Sequence, residues 1–173
     1  MSQSIYQNAE WHIEQIALFN QEALNKPLKQ RSRYYKASFF FASAVAESFV
    51  FLIIKNYVDK GNHIEYRSTN TYKPLCNISG KQFLKDGIGE IVICEKVKEN
   101  FEWKKDIDFF TLNNIGSKYN IFNRGLFKKL DSIRKKRNSI HIQSLNRKDH
   151  RYSKKDVEYA SSVLPDLIDL AQK

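Results

Sequence analysis

Apolar residues recur every three to four positions over most of this chain, and one interior stretch breaks the rhythm. From Ser4, which can cap a helix, Ile5, Ala9, His12, Ile13, Ile16, Ala17 and Phe19 form a broad helical stripe, so the spacing predicts a helix over 4–24. Asn25-Lys26-Pro27 ends it, because proline lacks an N–H and disfavours helix in the residue before it. A second and longest helix is predicted over 31–59, ending at Gly61-Asn62. Its middle, Ala37 to Ile54, is apolar on every side, as expected of a helix surrounded by others. That segment also has about the length of a membrane span. Glu47 at its centre, with Ser38, Ser43 and Ser48, argues for a buried core helix and against a lipid-facing one.

Between 62 and 103 the pattern changes. Tyr66, Thr69, Thr71, Tyr72, Ile88, Ile91, Val92, Ile93, Val97 and Trp103 favour strands, and Asn77, Ser79, Gly80, Gly87 and Gly89 punctuate them. The expectation is two or three short strands, a hairpin-like insertion between helices, with a short helix as the alternative over Gly80 to Asp86. Helical spacing returns over 107–119 and, more strongly, over 124–145 through Phe127, Leu130, Ile133, Ile140 and Leu145. A last helix opens at Ser153, with Asp156 near its positive end, and carries Val157, Ala160, Val163, Leu164, Leu167, Ile168 and Leu170. The predicted fold class is mainly α: one domain over 1–173, a helical up-down bundle of four to five helices with a small β insertion around 62–103.

Composition agrees with long helices, since 6 glycines and 3 prolines are too few for a turn-rich sandwich or barrel. Met1 to Gln15 show no basic stretch followed by an apolar run, so no secretory leader is expected and a cytoplasmic setting is the default. Cys76 and Cys94 are too few for a disulfide framework, match no zinc spacing and read as free thiols. His12, His63 and His150 show no metal spacing, and no glycine-rich phosphate loop is present, so neither a metal nor a cofactor is expected. The net charge of +10 suits either a solvated lysine-rich surface or an anionic partner, with nucleic acid first.

The stretch from Leu130 to His141 sharpens the second reading. On a helix turning about 100° per residue, Arg134 and His141 fall nearly in line, with Arg137 and Asn138 to either side. Cutting RNA without a metal needs a base to take the 2′-OH proton and an acid to protonate the leaving 5′-oxygen, and histidine exchanges protons near neutral pH. It also needs a fixed cation where charge builds on the phosphate, which suits arginine. Asn138 would hold the imidazole or the phosphate in place. Lys135, Lys136, Lys148 and Arg151, with Lys154 and Lys155, would extend an RNA-binding surface or serve solubility alone.

Arg134 to His141 resembles the signature of the HEPN superfamily, in which an arginine, often followed by a polar residue, precedes a histidine. Six residues separate Arg134 from His141, while the Arg137-Asn138 step looks like the family's Arg-polar pair, with three residues between Arg137 and His141. The order around it is similar too: a long apolar helix carrying Glu47 precedes the motif and an amphipathic helix follows. The resemblance implies a bundle that dimerises so that motif helices of two subunits build one site. It implies a metal-independent endoribonuclease of toxin–antitoxin, antiphage or RNA-processing type, or a relative that has lost catalysis and serves as a binding or dimerisation module. A regulatory protein partner fits that setting. His141 would be the acid or base, and Arg134 with Arg137 would hold the scissile phosphate. Glu47, a charge within an apolar helix, needs a partner. It would meet solvent or a structural arginine, or it would orient Arg134 or Arg137.

Overall fold

The computed structural model describes residues 2–64, 72–74, 94–96, 107–139 and 152–173. The chain divides into two compact units, residues 1–62 with 104–173, and residues 63–103. Among the described residues the first unit is helical: α1 (Ser2–Leu24), α2 (Leu28–Asp59), α3 (Phe109–Lys118), α4 (Arg124–Asn138), α5 (Lys154–Ser161) and α6 (Leu164–Gln172).

Helix α2 is the axis of this unit. Its 32 residues span about 48 Å at 1.5 Å per residue, and it packs against α1, α3, α4, α5 and α6. By length and composition α2 could cross a membrane, yet 61% of its most apolar window is buried within the protein. Phe39, Ala42, Val45, Ala46, Phe49, Val50, Ile53 and Ile54 lie in the core, which is where an all-round apolar helix belongs. Three consecutive phenylalanines show how α2 distributes its faces. Phe39 is buried against Tyr152, its ring 5.3 Å away. Phe41 packs against Trp11, His12 and Phe19 of α1, and Phe40 meets Arg137 of α4.

Helix α1 runs antiparallel to α2, since Tyr6 meets Phe49 near one end and Phe19 meets Tyr34 near the other. It buries Ala9, Ile16 and Ala23, a line of residues seven apart whose two alanines allow close approach. Helix α2 starts three residues before the predicted position because Pro27 serves as its N-cap: its preset φ of −55° suits the helix entry, and its missing N–H is not needed there. Arg31 reaches back to the carbonyls of Leu24 (3.2 Å), the last residue of α1, and of Lys26 in the turn after it (2.8 Å). At the other end of α2, Gly61 takes φ +83°, the left-handed turn that glycine accepts most easily after a helix.

Helices α3 and α4 each begin on a side-chain cap. Asp108 accepts the Thr111 N–H (2.7 Å) and Asn123 accepts the Leu126 N–H (2.8 Å). Helix α4 buries Leu126, Leu130 and Ile133 and ends at Asn138. That is seven residues short of the predicted end, and Ile140 and Leu145 lie outside the described residues. Ser139 closes the helix: its N–H bonds the Lys135 carbonyl (3.2 Å) and its hydroxyl the Lys136 carbonyl (2.7 Å).

The predicted last helix is two helices, α5 and α6, parted at Ser162-Val163. Pro165, in the first turn of α6, cannot donate to the Ser161 carbonyl, so a continuous helix would lose a bond there. The apolar stripe nonetheless continues, with Val157, Ala160, Val163, Leu164 and Leu167 all buried.

In the second unit two three-residue strands are described, β1 (Tyr72–Pro74) and β2 (Cys94–Lys96), paired antiparallel with Tyr72 opposite Lys96 and Pro74 opposite Cys94. The other strand-favouring residues expected over 62–103, and Cys76, lie outside the described residues.

Candidate nucleic-acid interface

The 15 residues of α4 carry seven basic side chains and one acidic side chain. Lys135, Lys136 and Arg137 occupy its last turn, where the negative end of the helix dipole favours cations. This explains how the helix tolerates such crowding. Residues three apart on a helix share a face, so Arg134 and Arg137 lie side by side.

Each guanidinium is held by one carboxylate and one aromatic ring. Arg134 donates from Nε (3.0 Å) and Nη2 (2.7 Å) to the same Asp131 oxygen, and its guanidinium lies 4.8 Å from the centre of the Phe110 ring. Arg137 forms an ion pair from Nη1 to Glu47 of α2, and its guanidinium lies 5.6 Å from the Phe40 ring. Phe40 and Glu47 stand seven apart on α2, nearly in line, so one face of α2 supplies both supports. Among the described residues the remaining N–H groups of Arg137 meet no acceptor. The two arginine side chains are partly accessible, at 17% and 28%.

Asp131 also accepts from Lys135 (2.7 Å). The Lys135 hydrogen bond, followed by the bonds and charge of Arg134, holds the Asp131 carboxyl below its ordinary value against the upward push of burial. Asp131 therefore stays ionised and keeps Arg134 in place.

Lys136 turns to the other side of α4. It pairs with Asp156 of α5, and its ammonium lies 5.1 Å from the Tyr152 ring and 5.9 Å from Phe39. The Tyr152 hydroxyl donates to the Lys136 carbonyl (3.3 Å) and the Tyr152 N–H to Ser32 of α2 (2.9 Å). Asp156 in turn accepts from the N–H and the hydroxyl of Ser153, each at 2.8 Å. Burial pushes the Asp156 carboxyl up, but the bonds from Lys136 and Ser153 outweigh it and hold the carboxyl below its ordinary value. Lys136 thus fastens α4 to α5.

Of the residues singled out from the sequence, the structure pairs Arg137 with Glu47, while Arg134, on the same helix, pairs with Asp131 instead. Asn138 is exposed at the end of α4, and Lys135 is exposed while paired with Asp131. Lys154 is exposed and paired with Glu158, and Lys155 is exposed. His141, Lys148 and Arg151 lie outside the described residues. His12 bonds the Asn8 carbonyl within α1 (2.8 Å). Among the described residues no three His, Cys, Asp or Glu side chains gather as a metal would require.

Four residues that shape this surface were not anticipated. Asp131 could have been found, because it precedes Arg134 and Lys135 by three and four positions, the spacing at which helical charges pair. The sequence reading places Asp156 only near the positive end of the last helix, without Lys136 as its partner. Phe40 and Phe110 carry no local signal that distinguishes them from core phenylalanines. Chemically, the arrangement offers two guanidiniums, each fixed by a carboxylate and a ring, three residues apart on a strongly basic helix. The planar fork of a guanidinium matches the geometry of a phosphate group. Comparison with models of known families, with curated proteins and with solved structures finds no match for this chain.

Proposed function

We propose that the chain is a metal-independent endoribonuclease of HEPN-like type. The observation that carries this reading is Arg137, fixed by Glu47 across the bundle, with Arg134 one turn before it and the sequence Asn138-Ser139-Ile140-His141 directly after it. In this reading Arg137 and Arg134 bind the non-bridging oxygens of the scissile phosphate and balance the charge that builds there. The 2′-oxygen attacks phosphorus as a base removes its proton, the bond to the 5′-oxygen breaks, and an acid protonates that oxygen. A 2′,3′-cyclic phosphate and a free 5′-hydroxyl result. His141 serves as one of the two proton-transfer groups, and Asn138 positions the phosphate or the imidazole. Lys135, with Lys148 and Arg151, contributes to holding the strand.

A second copy of the chain supplies the matching segment, so that the working unit is a homodimer. A toxin–antitoxin or antiphage setting in the cytoplasm, with a protein partner that restrains the activity, follows from the same resemblance.

One observation favours a second reading. Both guanidiniums already face a carboxylate, Asp131 and Glu47. A module that binds RNA or a partner protein without turnover would keep its arginines neutralised in this way. The two readings separate on a single-stranded RNA and its 2′-deoxy counterpart. The nuclease cuts the first and leaves the second intact, and Arg137→Ala slows it by about 100-fold or more. Equal cutting of both strands, or binding with no cutting of either, removes the nuclease reading.

A further inference from the structure

We infer that Phe40 and Phe110 form a base-stacking platform for single-stranded RNA beside the arginine pair. The inference rests on the RNA reading above and deepens it by naming where the bases go. Phe39, Phe49, Phe109 and Phe122 are buried to within a few per cent, as their size favours, whereas Phe40 and Phe110 are 45% and 51% exposed. A solitary exposed phenylalanine needs no explanation. These two differ from the other exposed apolar residues because each is the ring against which one of the paired guanidiniums lies.

Each ring therefore has a cation against it while about half of its surface meets solvent. A nucleobase stacking on the open part would complete a layered arrangement of guanidinium, ring and base. Such contacts accept any base, since every base has a flat π-face. The two rings reach the same stretch of α4 from two different helices, Phe40 from α2 and Phe110 from α3. They flank arginines whose Cβ atoms are about 5–6 Å apart, so successive bases of one strand can use both rings while its phosphates meet the guanidiniums.

The charge selects the occupant. Seven basic side chains in 15 residues of α4, on a chain of net charge +10, attract a polyanion such as RNA, repel a basic peptide and give a neutral one no net charge attraction. Base-paired RNA hides its faces in the stack and cannot use the rings, so the platform is specific to unpaired strands.

The test measures binding of the full chain to a fluorescein-labelled single-stranded RNA of about ten nucleotides. A matching abasic strand and a duplex are measured alongside. Phe40→Leu and Phe110→Leu keep apolar bulk against the arginines and remove the π-face, while Phe40→Tyr and Phe110→Tyr retain it. Each leucine variant is expected to weaken binding of the base-bearing strand by about 5- to 100-fold. Both are expected to bind the abasic strand as wild type does, and the tyrosine variants to stay near wild type. Leucine variants that bind the base-bearing strand as tightly as wild type overturn the platform and leave the RNA reading intact. An equal loss on the abasic strand also overturns it, and so does altered self-association with RNA affinity unchanged, which would assign the rings to a second copy of the chain. If wild type binds none of the strands, the RNA reading itself fails.

Discussion

Glu47 of α2 and Arg137 of α4 form an ion pair across 90 residues of sequence. Both side chains are roughly 30% accessible, so the pair sits at the rim of the bundle and not within it. A pair so placed contributes at most about 1 kcal/mol to stability. Its larger effect is geometric: it sets where the guanidinium of Arg137 points.

Replacing Glu47 with alanine therefore separates stability from activity. The account predicts a melting temperature lowered by no more than about 2–4 °C. Cleavage slows by about 10- to 100-fold, because a misdirected cation stabilises the reacting phosphate poorly. Thermal melts and single-turnover cleavage of a labelled RNA measure the two effects. Unchanged cleavage would show that Glu47 does not orient Arg137.

The Lys136–Asp156 pair gives a pH dependence with a definite sign. The Asp156 carboxyl is held below its ordinary value of 3.8 in the folded chain, so the folded state prefers the ionised form. Its contribution to stability is complete above about pH 5 and is lost as the pH falls through 3.8 and below. Asp156→Asn removes this acid-side loss and also weakens the Ser153 end of α5, at a cost of about 1–2 kcal/mol near neutral pH. Chemical denaturation of both proteins between neutral and acidic pH tests this. Parallel pH profiles would contradict it.

Gly116 of α3 permits the turn that follows α3 to pack closely back onto that helix. A Cβ there would overlap the ring of buried Phe122, and the Gly116 carbonyl accepts the N–H groups of Ile121 (2.8 Å) and Phe122 (3.0 Å). Gly116→Ala is expected to destabilise the chain by about 1–3 kcal/mol through overpacking, despite the better helix propensity of alanine. Urea denaturation gives the value, and an increase in stability would contradict this packing.

Lys135 is 69% exposed and, among the described residues, pairs with Asp131. If α4 lies along a nucleic-acid backbone, Lys135→Ala weakens binding similarly for every sequence. It lowers the slope of log affinity against log salt by about one. Salt titrations of wild type and variant measure that slope, and identical slopes would place the strand elsewhere.

Much of this architecture could be read from spacing alone. The stripes of α1, α3 and α4 and the all-round apolar middle of α2 follow from which residues a helix must hide. The boundaries depended on finer chemistry. Pro27 not only ends α1 but also admits α2, and Pro165 divides a stripe whose apolar period runs on without a break. For the candidate site, Glu47 was conspicuous because a carboxylate in an apolar helix needs a partner. Which arginine it would choose was not legible, since helical spacing gives the faces of α2 and α4 but not how they cross. The same gap hid Phe40. In the run Phe39-Phe40-Phe41 the residue types are identical, and only the neighbours of α2 assign one ring to Tyr152, one to Arg137 and one to α1.

The most direct measurement is cleavage of a labelled single-stranded RNA, in excess EDTA, by wild-type and His141→Ala protein. The account predicts that wild type cuts and leaves 2′,3′-cyclic phosphate ends, while His141→Ala remains folded and cuts at least about 100-fold more slowly. Cutting by His141→Ala at the wild-type rate, or no cutting by wild type under conditions where it binds the strand, would contradict it.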